Sequence, residues 1–246
     1  MHRFLAPALD PGDEMVTLPH DEAEHLTRVL RLGVGDTIAV FDGRGREFLG
    51  RVASVRRRDV RVQVLQPLEP VPESPVPLTL VAAVLKGDRM DDVVRDSVMI
   101  GVAAIQPIVT SRTETSIASL MRAGRVDRWR RVAVASVKQS RRAVVPEIRV
   151  PLPFESFLQE PLPQATLMLV EPDANASAEP ISALRGTEPP VDAAVMVGPE
   201  GGWTEAEWQE ARARGVRLVS LGPRTLRADA VPVVALSLVA FLWDAF

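Results

Sequence analysis

Two short segments near the C-terminus combine glycine, proline and charged residues in a pattern that could bind a ligand through the backbone. Residues 198–202 read GPEGG and follow the apolar run Ala193–Val197, and residues 221–227 read LGPRTLR after another apolar run. Glycine adopts positive φ readily and lacks a Cβ atom, so a ligand can approach such turns closely. Because open α/β sheets bind ligands beyond the carboxyl ends of their strands, two such turns favour a shared pocket. A tight turn without a ligand is the alternative for either segment alone.

Composition restricts the chemistry of such a pocket. The chain has no cysteine, and its only histidines are His2, His20 and His25, which excludes a histidine or thiolate metal site and a Ser-His-Asp triad from the C-terminal half. The sequence contains no GxxxxGK[ST] loop and has few positive charges near residue 198, so a triphosphate would be poorly neutralised there. Bent backbone can present amides and carbonyls to the edge of a purine. A neutral or cationic adenosine compound therefore fits better, and S-adenosylmethionine is one.

The elements around these turns follow an α/β pattern. Thr204 and Glu207 have the spacing of a capping box, which predicts a helix directly after the first glycine turn. From residue 78 onward, buried-strand patterns alternate with helical ones, as in a mainly parallel sheet with helices on both faces. Strands are predicted at 78–85, 104–109, 165–171, 193–197 and 216–221, and helices at 89–101, 116–142 and 232–243. The last helix is apolar on nearly every side, so it must lie in the core or in a subunit interface.

The first 68 residues differ in pattern from the rest of the chain. Four strand patterns, at residues 14–18, 37–41, 48–55 and 60–65, predict a small barrel of five or six strands. One helix is predicted at residues 20–32, ending at Gly33 or Gly35. Five prolines within residues 66–77 predict a stiff linker. We therefore place one domain at residues 1–70 and a second at residues 71–246.

Positive charge is concentrated in the first part of the chain. Residues 1–150 contain 23 Lys and Arg against 19 Asp and Glu, whereas residues 151–246 contain 6 against 13. A polyanion such as RNA should therefore contact the first part. The candidate contacts are Arg56, Arg57 and Arg58 at a predicted hairpin tip, and Arg131, Lys138 and Arg141 in or beside the basic helix. Protection of an edge strand by charge, or an ordinary solvated helix face, is the alternative.

The sequence also bears on location. The longest apolar run, residues 230–243, is too short and too interrupted to span a bilayer, and the N-terminus lacks the apolar core of a signal peptide. The absence of cysteine fits a reducing compartment. We expect a cytoplasmic protein with no membrane partner.

The segments GPEGGWTEAE and LGPRTLRADA resemble the signature of the RsmE family of SPOUT-class methyltransferases. Shorter pieces agree in order along nearly the whole chain: Arg3-Phe4, His25 with Arg31, Lys86-Gly87-Asp88-Arg89, and Gln139-Ser140 with Arg142. The resemblance implies an enzyme that uses S-adenosylmethionine to methylate N3 of a uridine in 16S ribosomal RNA of the small subunit. It also implies a PUA-like RNA-binding β-barrel, a SPOUT α/β domain with a C-terminal trefoil knot, and a homodimer that pairs across the knot.

The resemblance assigns residues to each part of a site. The cofactor-binding residues are Leu169, Val170, Glu171, Gly198, Pro199, Glu200, Gly201, Gly202, Leu221, Gly222, Arg224 and Leu226. We assign RNA binding to Arg3, His25 and Arg31 together with the basic residues named above. We expect Arg227 or Arg142 to stabilise negative charge on the uracil oxygens, with Asp229 as a proton acceptor or orienting group. No metal is expected.

Several positions depart from the usual family pattern, among them Asp229, which stands where a glutamate is usual. Asp96 stands where a lysine is usual, and Met99, Ser111 and Lys138 stand where glutamates are usual. Two explanations are open: a structural ion-pair network that was replaced as a set, or an altered activity. Two further functions are therefore considered: a non-catalytic RNA-binding ribosome-assembly factor that retains the fold, and a SPOUT enzyme with another RNA target.

Overall fold

The computed structural model describes residues 1–56, 59–172 and 178–245. The chain divides into two compact units. The first contains Met1–Glu73 and Val137–Val145, and the second contains Ser74–Ser136 and Pro146–Phe246. No pattern in the sequence indicated that Val137–Val145 group with the first unit.

The first unit is built on a five-stranded sheet. Its strands are β1 (Arg3–Leu5), β2 (Met15–Thr17), β3 (Thr37–Phe41), β4 (Glu47–Arg56) and β5 (Asp59–Leu68), in the order β1-β3-β4-β5-β2. β1 and β3 are parallel, and the other neighbours are antiparallel. Between β2 and β3, helix α1 (His20–Glu24) continues into a π-helical turn at His25–Val29. Phe4, Leu26, Val40, Val52 and Val62 are buried in one core, so the alternating strand residues pack against the helix.

Two details of this unit correct the sequence-based expectations. The helical segment ends at Leu30 rather than at Gly33 or Gly35, because Arg31 itself adopts a φ of 56°, in the left-handed region. The linker begins later than predicted, because β5 continues to Leu68 and Pro67 pairs opposite Phe48. β2 pairs only with residues 61–63 of β5, so a proline at position 67 removes no ladder hydrogen bond on that side.

Within the described residues, the second unit is built on a parallel sheet of eight strands. They are β6 (Leu78–Ala83), β7 (Ala104–Val109), β8 (Glu147–Ile148), β9 (Leu152–Pro153), β10 (Ala165–Leu169), β11 (Glu179–Pro180), β12 (Ala193–Val197) and β13 (Arg217–Ser220). Their order is β11-β13-β10-β12-β6-β7-β8, with β9 also pairing with β7, and every pairing is parallel. This arrangement confirms the predicted α/β class.

Six helices accompany this sheet within the described residues. They are α2 (Arg89–Ile100), α3 (Ile117–Arg122), α4 (Arg125–Ser140), α5 (Phe154–Gln159), α6 (Glu205–Ala213) and α7 (Val231–Leu242), with a 3₁₀ turn at Ile181–Leu184. α4 is shared between the units, because its last turn groups with the first. The single helix predicted at 116–142 is two helices, α3 and α4, and Gly124, with a φ of 61°, lies between them.

The centre of the sheet explains the apolar runs in the sequence. Leu80, Met168 and Val195 lie on adjacent strands and are fully buried, as expected for strands covered on both faces. α7 packs on α2, β6, β12 and the 3₁₀ turn, and buries Leu236 and Val239 among others, which places one face in the core as predicted. Among the described residues, no helix combines the length and apolar character needed to cross a membrane.

Candidate active site

A cavity of about 590 Å³ lies beyond the carboxyl ends of β10, β12 and β13. This volume is within the usual range of about 300–1,000 Å³ for small-molecule sites. Eleven of the twelve predicted cofactor-binding residues line it: Leu169, Val170, Glu171, Gly198, Pro199, Glu200, Gly202, Leu221, Gly222, Arg224 and Leu226. Gly201 is not among the lining residues. The two glycine turns therefore share one cavity, as the sequence predicted, together with the segment that follows β10.

The first glycine turn is fixed by the helix that follows it. The capping box predicted from the sequence is present: Thr204 Oγ1 accepts from the Glu207 amide at 3.3 Å, and Glu207 Oε2 accepts from the Thr204 amide at 2.7 Å. Glu207 is buried, and its other oxygen accepts from the amide and hydroxyl of Ser111 at 2.9 and 3.0 Å. One carboxylate thus connects the start of α6 to the loop after β7.

Arg112 holds the same turn from the other side. Its Nη1 donates to the carbonyl of Gly201 at 2.6 Å and to that of Trp203 at 3.3 Å. Its aliphatic stem lies close to Gly201, where an added Cβ atom would be 3.3 Å from the Arg112 Cβ and Cδ atoms. Gly201 therefore positions the turn through its backbone carbonyl. Sequence reasoning assigned no role to Arg112, although it directly follows Ser111, one of the positions that depart from the family pattern.

Trp203 joins two of the lining segments and was also missed. Its indole Nε1 donates to the Leu169 carbonyl at 2.8 Å, and its ring lies 5.4 Å from that of Phe154. A Cβ atom at Gly198 would be 3.1 Å from this indole, so any larger residue would force the indole to shift by a few tenths of an ångström. Gly202 has a φ of 68°, and an added Cβ atom would lie 3.2 Å from Glu171 Oε1. In the sequence, the position of Trp203 directly after the glycine turn could have indicated this role.

The second turn leaves backbone groups available to a ligand. Gly222 has a φ of 108°, and an added Cβ atom there would meet nothing within 4 Å. In the described part of the chain, the backbone groups of Leu221, Gly222 and Leu226 form no hydrogen bond. Amides and carbonyls without protein partners are the groups that could read the edge of a purine ring.

The charged groups of the cavity are balanced in number. The arginines that line it are Arg89, Arg224 and Arg227, and the carboxylates are Glu171, Glu200 and Asp229. This donor set fits S-adenosylmethionine, which carries a carboxylate, an ammonium and a sulfonium, better than it fits a polyphosphate. Arg89, which the sequence placed only within a family motif, donates from Nη1 to Glu200 Oε1 at 3.2 Å.

Arg227 and Asp229 form a two-point pair at this cavity. Arg227 Nε and Nη2 donate to the two oxygens of Asp229 at 3.1 and 2.6 Å. These hydrogen bonds lower the pKa of Asp229 below its ordinary value, and the charge of Arg89 acts in the same direction. Asp229 is therefore ionised at neutral pH, and it suits the orientation of Arg227 better than the uptake of a proton.

Arg142, the other predicted catalytic arginine, lies in the first unit. Its guanidinium is buried and pairs with Glu73, with Nε at 3.0 and 3.1 Å from the two carboxylate oxygens. A buried, paired guanidinium has a sufficient structural explanation. The catalytic role of Arg142 stays a prediction.

Two of the predicted RNA contacts are also engaged within the first unit. Arg3 uses all five N–H donors, on both oxygens of Glu47 and on the carbonyls of Val137, Lys138 and Arg142. It thereby caps the end of α4, where free carbonyls carry partial negative charge. Lys138 pairs with Glu22, a buried carboxylate whose pKa is raised by desolvation despite that contact.

The remaining predicted RNA contacts are exposed where the structure describes them. In the first unit these are His25, Arg31, Arg56 and Arg141. Arg131 is exposed on α4, within the second unit. Arg57 and Arg58 lie outside the described residues. In the described ranges, no group of three His, Asp or Glu side chains is arranged to hold a metal ion.

Comparison with known proteins agrees with this geometry. Residues 72–240 match a family model described as RNA methyltransferase domain, and residues 18–65 match one described as RNA methyltransferase PUA domain. The ribosomal RNA small subunit methyltransferase E of Synechocystis sp. is 33% identical over 222 residues, which cover 90% of this chain and 71% of that protein. The chain belongs to this RNA methyltransferase family.

Two solved structures extend the comparison to the family's cofactor. The ribosomal RNA small subunit methyltransferase E of Neisseria gonorrhoeae, bound to S-adenosylmethionine, has a TM-score of 0.89 and 31% identity, covering 99% of this chain and 98% of that one. A Legionella pneumophila protein, solved with bound S-adenosylmethionine, has a TM-score of 0.87 and 29% identity, covering 97% and 96%. The family relationship thus extends over both units.

Proposed function

We propose that this chain transfers a methyl group from S-adenosylmethionine to N3 of a uridine in 16S ribosomal RNA of the small subunit. The observation that carries the proposal is the single cavity lined by three loops, in a chain whose family includes rRNA methyltransferases. In this reaction the N3–carbon bond forms as the carbon–sulfur bond breaks. The sulfonium becomes a neutral thioether, and the N3 proton goes to solvent.

We assign cofactor binding to the three loops. Backbone groups of Leu221, Gly222 and Leu226 would bind the adenine edge, and the charged residues around Glu171 and Glu200 would contact the amino-acid part. S-adenosylmethionine, when bound, supplies an electrophilic methyl group on sulfur. The chain's own contribution is to hold the loops in place, through Trp203 and Glu207, so that little reorganisation is needed on binding.

Arg227 is the residue we assign to charge stabilisation. Deprotonation of N3 places negative charge on the uracil oxygens, and a guanidinium beside the cavity can donate hydrogen bonds to them. Asp229 orients that guanidinium through the two-point pair, and its lowered pKa argues against a role as general base. Both side chains line the cavity.

RNA binding is assigned to the first unit and to the basic face of α4. The exposed residues His25, Arg31, Arg56 and Arg141 of that unit support it, and Arg57 and Arg58 are retained from the sequence. We leave Arg3 out, because all of its donors are occupied. Binding through several phosphates would weaken steeply with salt concentration.

We also propose three finer features of the architecture: a barrel, a knot and a homodimer. We infer that the first unit closes into a PUA-like barrel, which the register shifts in β4 support because β-bulges bend a strand. We infer a trefoil knot from the path after β13, because α7 returns across the sheet to pack on β6 and β12. The partly exposed second face of α7, where the Phe241 side chain is 66% exposed, supports a homodimer. We also propose a domain boundary near residue 70. A cytoplasmic location follows from the proposed ribosomal substrate.

The non-catalytic alternative rested on the residues that depart from the family pattern. Ser111 hydrogen-bonds Glu207, Lys138 pairs with Glu22, and Asp96 accepts from Arg95 at 2.9 Å. None of these three residues, nor Met99, lines the cofactor cavity, whereas Asp229, another departure, does line it. Ser111, Lys138 and Asp96 therefore have local partners away from the cavity, and Asp229 keeps a carboxylate at the cavity, which favours a retained active site over a lost one.

The test is methylation of deproteinised small-subunit RNA that lacks the modification, with labelled S-adenosylmethionine and mass-spectrometric location of the methyl group. Arg227→Ala should lower the rate by roughly 100-fold or more, the range for loss of an oxyanion donor. Arg217→Ala is the matched control, because Arg217 is also paired with a carboxylate but does not line the cavity. An inactive wild-type protein that fails to bind S-adenosylmethionine would refute the proposal. A wild-type rate in Arg227→Ala would refute the assignment of the charge-stabilising residue, and a wild-type rate in Arg142→Ala as well would exclude the other arginine predicted from the sequence.

A further inference from the structure

A second cavity, of about 410 Å³, lies beyond the carboxyl end of β6 in the second unit. We propose that it receives the uracil base of the target nucleotide. This inference rests on the proposed function, because a methyl acceptor must lie beside the cofactor. Its walls come from the turn after β6 and from the segment that runs from the loop after β7 through α3 to the start of α4.

A hydrogen bond joins the linings of the two cavities. Glu200 lines the cofactor cavity and Lys86 lines the second one. The Lys86 amide donates to Glu200 Oε1 at 3.1 Å, and Arg89 donates to the same oxygen at 3.2 Å. One carboxylate therefore fixes the turn between the two spaces. Methyl transfer needs the donor and the acceptor in neighbouring spaces, and this contact places the second cavity next to the lining of the first.

The lining of the second cavity matches a pyrimidine ring. Val84, Leu85 and Leu120 are buried apolar residues, suited to the faces of a planar ring. Lys86 and the hydroxyls of Thr115 and Ser119 are donors, and uracil has two carbonyl acceptors. A volume of about 410 Å³ is within the small-molecule range, and it leaves space for the ribose at the opening.

Lys86 gives the cavity its charge. Its ammonium pairs with Glu114 at 2.5 Å, and both side chains are more than half exposed. An exposed ion pair of this kind contributes little to stability, so it can open for a ligand at little cost. Arg125, the other cation of the lining, is held by Asp88 and by the Gly87 carbonyl. We therefore assign Lys86 to the uracil oxygens as a second cation beside Arg227 of the cofactor cavity, and it would favour the N3 anion.

The main experiment fills the cavity. Ala123 lines it, and Ala118 lies exposed on α3 outside it, so Ala123→Phe and Ala118→Phe form a matched pair. We expect Ala123→Phe to lower kcat/KM for the RNA by at least 10-fold, with an unchanged Kd for S-adenosylmethionine by calorimetry. Ala118→Phe should behave as wild type. A wild-type kcat/KM in Ala123→Phe, or a loss matched by an equal loss of cofactor binding, would overturn the inference.

A second variant tests the charge without adding bulk. Lys86→Met should keep cofactor binding, lower kcat at neutral pH, and shift the rising limb of the pH–rate profile to higher pH, because the N3 anion loses its cation. Lys86→Arg should restore most of the rate. An unshifted profile in Lys86→Met counts against the base site even if Ala123→Phe fails to fold. The two failures can be told apart: an inactive wild type overturns the proposed function with this inference, whereas an active wild type with unaffected variants overturns this inference alone.

Discussion

Gly202 offers a direct test of how the first glycine turn supports cofactor binding. In Gly202→Ala the new Cβ atom destabilises the turn in two ways. The residue would keep a φ of 68°, a left-handed conformation that costs an L-residue about 1–2 kcal/mol. The methyl would also lie 3.2 Å from Glu171 Oε1, so Glu171, which lines the cavity, must move.

Gly215→Ala separates these two effects. Gly215 follows α6 with a φ of 84°, and an added Cβ atom meets nothing within 4 Å. Both variants should therefore lose about 1–2 kcal/mol of stability, which lowers Tm by roughly 2–8 °C in a chain of this size. Only Gly202→Ala should also weaken cofactor binding. Losing one hydrogen bond from a charged group costs about 1.5–3 kcal/mol, or roughly 10- to 100-fold in Kd.

The assay is isothermal titration of each variant with S-adenosylmethionine, beside differential scanning calorimetry of the free proteins. The reasoning is refuted if Gly202→Ala binds the cofactor within two-fold of wild type while its Tm falls as in Gly215→Ala. Glu171 would then be a wall residue without a contact to the ligand. Equal weakening of binding in both variants would also contradict it, because that result would assign the effect to general instability.

Two further predictions concern one side chain in each unit, Arg112 in the second and Asp42 in the first. Arg112→Ala removes two hydrogen bonds to the first glycine turn and should raise the Kd for S-adenosylmethionine about 10-fold by titration, with partial recovery in Arg112→Lys. Asp42, in the first unit, has a pKa below its ordinary value, because the amides of Arg46 and Arg44 and the Arg46 guanidinium outweigh the opposing effect of burial. Its stabilisation is therefore complete above the unfolded pKa near 3.8 and is lost as pH falls through the lower folded value. Urea titrations from pH 7 to pH 3 should show that Asp42→Asn has a free energy of unfolding about 1–3 kcal/mol below that of wild type at pH 7. This difference should shrink below pH 3.8. A difference that stays constant with pH would contradict the linkage.

Local patterns predicted the elements of the second unit well. β7 and β12 have the bounds read from their apolar runs, and the capping box of Thr204 places the start of α6. These features depend on neighbouring residues, which periodicity and spacing describe directly. The shared cavity was also predictable, because the carboxyl ends of parallel strands meet at one edge of a sheet. The order of the strands in that sheet was not, since it depends on contacts between distant residues.

The grouping of Val137–Val145 and the role of Arg112, both missed by sequence reasoning, depend on long-range pairing. Val137–Val145 group with the first unit because Arg3 caps the end of α4 and because Val144 bridges Gly43 and Arg44. Neither contact has a signature in the spacing of the residues concerned. Arg112 was missed for the same reason, because an arginine in a loop gives no indication of which carbonyls it will meet.

The arginines show why residue type alone could not assign function. Arg3 and Arg142 were predicted to act on RNA, yet each is largely buried and has a carboxylate partner in the first unit. Arg227 also has a carboxylate partner, but its side chain is 76% exposed and lies at the cavity, so its guanidinium can reach a ligand without unpairing a buried charge. Breaking a buried pair costs about 3–5 kcal/mol, whereas an exposed pair contributes at most about 1 kcal/mol. An arginine can take part in catalysis only if breaking its ion pair costs little free energy. Burial sets that cost, and burial cannot be read directly from the sequence.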